Sequence, residues 1–414
     1  MEDVLASSKI KGLVTPLYDG QCISNLPATF AKLLGSDSKQ AIASKEFFEF
    51  ADEKTIENVV FVLLDGFGYR LIESARQRSR FPSYEKVMQG GISIPLTSVF
   101  PSTTSTATTT LHTGLTPQEH GVIGYTMYMR ELGTIVEMLS FEPVFGRRNL
   151  FELGLDPGKF IGSKTMHEKF ASEGIGSTLY INKYILGSGL SQITNRGAEL
   201  VPTLTAPDML TNLRKKLQSG SSRFHFCYHA SPDTIAHARG PFSEEYSAEI
   251  ESVFSSIKTE LFEKLDRSIA KKTLLVISAD HGLSHIDATG IIDISKHAAL
   301  LDMLKVPPTG DSRCLIMHAK SEDYIERISS YFEQNFPGSF LILESKAALK
   351  EGLFGRGEIR QEMKDRIGDL IMVPRGLRAI DNSILQPRKD HVPGRHGGLS
   401  ENEMLVPLLA NYVA

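Results

Sequence analysis

Three short apolar runs each end on a carboxylate or a histidine, and no other feature narrows the fold as far. Val59–Asp65 reads VVFVLLD, Phe224–Asp233 reads FHFCYHASPD and Thr273–Gly282 reads TLLVISADHG. Near-continuous Val, Ile, Leu and Phe means that both faces of such a segment are covered, as in a strand inside a parallel sheet. Between the last two runs lies SEEYSAEIESVFSSIKTELFEKLDRSIA. There Ile250, Val253, Phe254, Ile257, Leu261, Leu265 and Ile269 recur every three or four residues, one apolar stripe on a helix. Ser243, with Glu244 and Glu245 in the first turn, suits the helix start. Strand, helix, strand at this spacing predicts a βαβ unit in an α/β fold, with a mostly parallel central sheet flanked by helices. Ligands of such sheets bind beyond the carboxyl ends of the strands. Asp65, Asp233 and Asp280 fall at those ends.

At 414 residues the chain exceeds one small core. The expected organisation is one catalytic domain over 1–414 with inserted subdomains. A glycine- and aromatic-rich stretch, about 125–217, reads as an inserted cap. About 314–377, with CLIMHA, SEDYIERISSYFEQNF, SFLILES and GDLIMV, reads as an α+β side insertion. Net charge is −4 with no long basic run, which disfavours nucleic-acid binding. Three scattered cysteines make neither a disulfide framework nor a CxxC zinc site, and fit a reducing compartment. No stretch approaches the roughly 20 apolar residues of a membrane span. The N-terminus lacks a continuous apolar segment of the signal-peptide kind. A cytoplasmic protein is expected.

The chemistry-bearing residues cluster at the predicted strand ends. In SPDTIAHARG, Asp233 and His237 stand four apart, on one face of a helical turn. In SADHG, Asp280 and His281 sit side by side, and in GRHGG, His396 is flanked by Gly394, Gly397 and Gly398. Asp65 lies in LLDGFG. Any one of these pairs is weak evidence, because a single strand-end Asp is usually a helix cap. Together they make a mixed imidazole–carboxylate set that suits zinc or a similar transition metal. Six ligands are too many for one tetrahedral ion and suit two, the arrangement that clamps the oxygens of a phosphoryl displacement. His112, His120, His167 and His225, each isolated, read as core or surface residues.

These stretches, with TSTATTTLHTGLTPQEHGVIGY, resemble the alkaline phosphatase superfamily, most closely its type I phosphodiesterase/nucleotide pyrophosphatase branch. They occur in that family's order from Asp65 to His396. The resemblance implies that Asp233, His237 and His396 hold one zinc, and that Asp65, Asp280 and His281 hold the other, which also contacts the nucleophile. Manganese is the alternative metal. The superfamily's nucleophile stands ten residues before the glycine of a terminal TG, and counting back from Gly114 gives Thr104, with Thr103 the competitor. The substrate implied is a small phosphate ester or nucleotide. Where nucleotide pyrophosphatases carry an oxygen-binding asparagine, this chain has Tyr125. The TFPN form around the nucleophile is also absent.

STTSTATTTLHTG, Ser102 to Gly114, holds seven threonines and reads as the start of a helix at the nucleophile. Partial positive charge there, with the backbone N–H of Ser105, favours a phosphoryl oxygen. The reaction expected is hydrolysis of a phosphodiester or nucleotide pyrophosphate through phospho-Thr104. The alternatives on the same scaffold are a phosphomonoesterase or phosphonate hydrolase, for which Arg395 and Lys164 are the candidate extra cations, and a phosphomutase.

Overall fold

All three apolar runs become neighbouring strands of one sheet. In the computed structural model, which describes residues 10, 12–36, 40–77, 81–146, 148–387 and 390–413, β1 (Asn58–Leu64) is flanked by β8 (Phe224–His229) and β9 (Thr273–Ser278). Both pairings are parallel, with Val59 opposite Phe224 and Leu274. Leu64 faces His229 and Leu63 faces Ser278, so the three chains leave the sheet at one edge, side by side. Six consecutive residues of β9 and the last six of β1 are buried, as two-sided coverage requires.

β6 (Ser177–Asn182) and β7 (Glu199–Thr203) extend this parallel set beyond β8. On the other side, β18 (Leu405–Tyr412) pairs antiparallel with both β9 and β2 (Ile92–Thr97). The order is β2-β18-β9-β1-β8-β6-β7. This is the mostly parallel, helix-flanked sheet predicted from the sequence. The helix Glu244–Ile257 starts at Ser243, whose side chain accepts from the Tyr246 N–H, and buries Ile250, Val253, Phe254 and Ile257. The stripe does not stay on one α-helix. Lys258–Glu263 widens into a π-helical turn, and a separate short helix, Arg267–Ala270, leads into β9.

A second sheet is antiparallel throughout. It contains β3 (Thr126–Met129), β4 (Thr134–Glu137), β5 (Glu142–Pro143), β12 (Thr309–Asp311), β13 (Cys314–Met317), β14 (Phe340–Glu344) and β15 (Leu370–Pro374), ordered β14-β15-β13-β12-β3-β4-β5. The stretch 125–217, expected as a cap, therefore divides. Its first part adds β3 to β5 to the second sheet, and its last part adds β6 and β7 to the first. The physical reason is local: STLYIN is a buried strand of its own, followed by a long helix, Ala206–Ser219, that packs Leu210, Leu213 and Leu217 inward. Two small pairs complete the framework. β10 (Ser284–His285) lies against β17 (Gly394–Arg395), and β11 (Ile291–Asp293) against β16 (Ala379–Asp381).

Candidate active site

Each strand end delivers its side chain through a sharp turn. Asp65 follows β1, and Gly66 after it has φ +71, where a Cβ would lie 2.6 Å from Leu283 and 3.2 Å from Asp233 Cα. Only glycine lets the two loops pack that closely. Asp233 and His237 project from the helix Ser231–Arg239 directly after β8, with His237 Nε2 3.3 Å from Asp233 Oδ2. Asp280 and His281 follow β9. His396 follows β17, and Gly397 takes φ +111 against the Asp311 side chain. Gly394 lies so near the helix carrying His237 that a Cβ would stand 2.2 Å from Ala236 O.

The six predicted ligands converge. Ligand atoms of Asp65, Asp280 and His281 lie within 4.8 Å of one another, as do those of Asp233, His281 and His396. His281 thus belongs to both groups. His237 is in neither, although its Nε2 meets Asp233. The rings of His281 and His396 stack at 4.0 Å, and that of His237 lies 5.0 Å from His396.

The imidazoles are oriented from behind. His237 Nδ1–H donates to Gly394 O at 2.7 Å, and His281 Nδ1–H to Gly282 O at 3.2 Å. A carbonyl only accepts, so Nε2 of each ring carries the lone pair, the arrangement of a metal-binding histidine. Asp65 Oδ2 accepts from Tyr228 OH at 2.5 Å, and Asp280 Oδ1 accepts from the N–H groups of Gly66 and His281. The opposite oxygens, Asp65 Oδ1 and Asp280 Oδ2, are buried with no hydrogen-bond partner, as is Asp233 Oδ1. Burial, then the neighbouring Asp280 and Asp233 charges, raises the Asp65 pKa well above the ordinary carboxylate value; burial raises that of Asp280. Buried, unpaired carboxylates in this number are unfavourable without cations. The donor set fits divalent metal ions.

Thr104 is the first residue of the helix Thr104–Thr113, capped by Thr103, and its Oγ1 lies 3.1 Å from His281 Nε2. Thr103 is committed elsewhere. Its hydroxyl donates to Asp311 Oδ2 at 2.6 Å, and His396 Nδ1 is 3.7 Å from the same oxygen. Four of the later threonines of this helix have a structural explanation, while Thr106 Oγ1 is buried without a partner. Thr108, Thr109 and Thr113 donate to the carbonyls of Thr104, Ser105 and Thr109, four residues back. These hydroxyls satisfy themselves within a helix that is almost wholly buried. Thr110 pairs with His120 Nε2 at 3.0 Å.

The two predicted substrate-binding residues, Ser105 and Tyr125, have different surroundings. Ser105 Oγ donates to Gly124 O, so its side chain holds the following loop, and only its backbone N–H is left for a ligand. Tyr125 leads straight into β3, whose Thr126 pairs with Gly310 of the second sheet. Tyr125 lines a cavity of about 30 Å³ beside Gly310 and Asp311, and is not among the described residues lining the cavity at Thr104. Arg395 is buried, with its guanidinium 3.0 Å from Asp381 Oδ1 and bonded to Val392 O, while Lys164 is exposed. His120 and His167 are core residues, pushed down to about 3 by burial, and His225 to about 4. Sequence reading passed over Tyr228 and Asp311. Tyr228 lay inside an apolar run as strand filler, and Asp311, at the end of β12, is 208 residues along the chain from the Thr103 it contacts.

Residues 59–143 and 165–399 match the sequence profile of the type I phosphodiesterase / nucleotide pyrophosphatase family. The chain belongs to that family. As in the family generally, divalent-metal dependence follows, and the clustered carboxylates and imidazoles accord with it. Sequence comparison with curated proteins finds no significant match. Solved structures of similar fold include murine ectonucleotide pyrophosphatase / phosphodiesterase 5, 17% identical over 86% of this chain and 88% of the other, TM-score 0.64. Another is phosphonoacetate hydrolase from Sinorhizobium meliloti 1021 with phosphonoformate, 17% identical over 86% and 90%, TM-score 0.65. Both belong to the alkaline phosphatase superfamily. No helix among the described residues is long and apolar enough to cross a membrane.

Proposed function

We propose that this family member hydrolyses a phosphodiester or nucleotide pyrophosphate with two divalent ions, zinc before manganese, and Thr104 as covalent nucleophile. The observation that carries the reading is Thr104 Oγ1 at 3.1 Å from His281 Nε2, beside three buried carboxylate oxygens without partners. Asp233, His237 and His396 would hold one ion, and Asp65, Asp280 and His281 the other. Ions bound there would supply Lewis acidity and lower the pKa of the hydroxyl.

Thr104 Oγ1 attacks phosphorus, its proton passing to solvent, and the bond from phosphorus to the departing oxygen breaks as the new one forms. Water then attacks the phosphothreonine, the Thr104 O–P bond breaks, and the hydroxyl is restored. The Ser105 N–H, in the first helical turn and without an intrahelical carbonyl, offers a hydrogen bond to a phosphoryl oxygen. The murine ectonucleotide pyrophosphatase / phosphodiesterase 5 was also solved as an inactive threonine-to-alanine variant with AMP, which accords with a threonine nucleophile and a nucleotide ligand. The similar fold of phosphonoacetate hydrolase keeps phosphonate hydrolysis as the second reading. Against it, the described residues lining the cavity at Thr104 include no Lys or Arg to meet a second negative charge. Three buried free thiols fit a reducing, cytoplasmic setting.

The test is turnover by zinc-loaded protein of bis-p-nitrophenyl phosphate against p-nitrophenyl phosphate and phosphonoacetate. The diester should have the highest kcat/KM, and EDTA should abolish turnover. Preference for the monoester or the phosphonate, or activity that survives chelation, overturns the reading.

A further inference from the structure

A cavity of about 380 Å³ opens directly onto Thr104, Asp65 and Asp233. Its volume is at the lower end of the roughly 300–1,000 Å³ of ordinary ligand pockets, room for one small arm of a substrate. Five of its lining side chains are aliphatic: Leu139, Leu179, Ile181, Ile185 and Leu190. These come from both parts of the stretch 125–217, so the two sheets build it jointly.

The cavity's charge is one-sided. Apart from Asp65 and Asp233, its charged group is Glu137, and no Lys or Arg is among the described lining residues. A further phosphate placed here would meet a carboxylate and no cation. Several of its polar groups are spoken for, while Ser140 Oγ and Asn195 Nδ2 are buried without a hydrogen-bond partner. Ser188 Oγ bonds Ser191 Oγ, Ser191 Oγ bonds Ile185 O, and Thr194 Oγ1 bonds Leu190 O. Its rings are also engaged: Tyr228 donates to Asp65, and His112 stacks on Phe226 at 4.6 Å and pairs with His167. A nucleobase needs a stacking face and edge partners; the unpartnered Ser140 hydroxyl and Asn195 amide are themselves buried, and the side chains left to meet an arm are mainly aliphatic.

We infer that the cavity selects the ester arm of the substrate for an uncharged aliphatic group, so that the preferred substrates are alkyl phosphodiesters ahead of nucleotides. The inference rests on the reading of Thr104 as the nucleophile of a diesterase. Apolar contact with the five aliphatic side chains supplies the selectivity, and Glu137 disfavours anionic arms.

The experiment uses the zinc-loaded protein and p-nitrophenyl diesters that share one leaving group and differ in the other arm: methyl, ethyl, propyl, butyl, hexyl and thymidine 5′-yl. Each methylene up to butyl should raise kcat/KM by about three- to fourfold, the worth of a buried CH₂. The hexyl arm should exceed the thymidine arm by about tenfold or more on the same basis. Leu139→Trp, which fills the cavity, should flatten the series, though the wild-type series decides the matter alone. A flat wild-type series, or preference for the thymidine arm with robust diester turnover, overturns the inference and leaves the diesterase reading standing. If no diester is turned over, the diesterase reading fails, and calorimetry on metal-loaded Thr104→Ala protein decides the arm. Tighter binding of hexyl phosphate than of AMP then supports the inference, and the reverse overturns it.

Discussion

The two halves of the candidate metal site differ in their contact with water. Around Asp65, Asp280 and His281 the side chains are 3%, 0% and 0% exposed, whereas Asp233 and His237 are 14% and 31% exposed, with His396 beside them at 8%. The sealed half is built by the ends of two adjacent central strands, where every direction but forward is covered. The open half uses a helix after β8 and a loop after a two-residue strand. Charge is therefore far more strongly felt in the sealed half, where no water relieves it. Thr104, the proposed nucleophile, contacts His281, which belongs to both candidate ligand groups. A sealed half suits holding and activating the attacking oxygen; an open half suits admitting water and releasing product.

The largest effect should come from the residue between the halves. Thr104→Ala should lower kcat by about a thousandfold or more with metal content intact. Thr103→Ala, which loses only its bond to Asp311, should retain most activity. Inverted results would move the nucleophile by one residue.

Next come the ligands, and here the comparison can be broken. Asp65→Asn should weaken metal binding by more than the roughly 10–100-fold that loss of an outer-shell partner produces. His237→Ala, on the wet side where water can take the vacant position, should lose less. Equal losses by elemental analysis and competitive chelation would remove the distinction between the halves. Asp311→Asn probes the outer shell of the open half, since Asp311 accepts from Thr103 and faces His396. A fall in metal affinity of about tenfold is expected, at the low end for such partners.

The smallest effect sharpens the comparison in the absence of metal. In chelated protein the Asp65 and Asp280 pKa values are raised, so the folded state keeps protons that the unfolded state has lost. Stability should then fall as pH rises above about 4, until the raised folded-state values are passed. Asp65→Asn should reduce that slope in urea titrations with EDTA. A chelated wild type that gains stability over the same range would contradict the description of the sealed half.

Much of this was legible in the chain alone because its signals are local. A run such as VVFVLLD needs two covering layers wherever it lies, and an Asp–x–x–x–His pair shares a helical face in any context. The family motifs lie in order at strand ends, so the ligand set could be named from spacing and resemblance. Thr104, the residue reached by counting back from Gly114, lies 3.1 Å from His281 Nε2.

What spacing could not supply depends on pairings between distant residues. Tyr125 was expected at the phosphoryl oxygen; pairing of Thr126 with Gly310 ties the segment that follows it to the second sheet. The stretch 125–217 read as one insertion because its strands are short, and it splits because β6 finds its parallel partner in β8. Asp311, more than two hundred residues from Thr103, becomes its hydrogen-bond acceptor only after two sheets have packed. Sequence periodicity reports which face of an element is buried. It does not report which other element buries it, because that choice is made by the total apolar area and hydrogen bonds of the assembled layers. The sequence by itself determined the parallel core, the strand-end placement of the six candidate ligands and the helix that starts at Thr104. Tertiary packing alone decided which candidate ligands are buried most deeply, which cavity Tyr125 lines, and the aliphatic cavity beside Thr104.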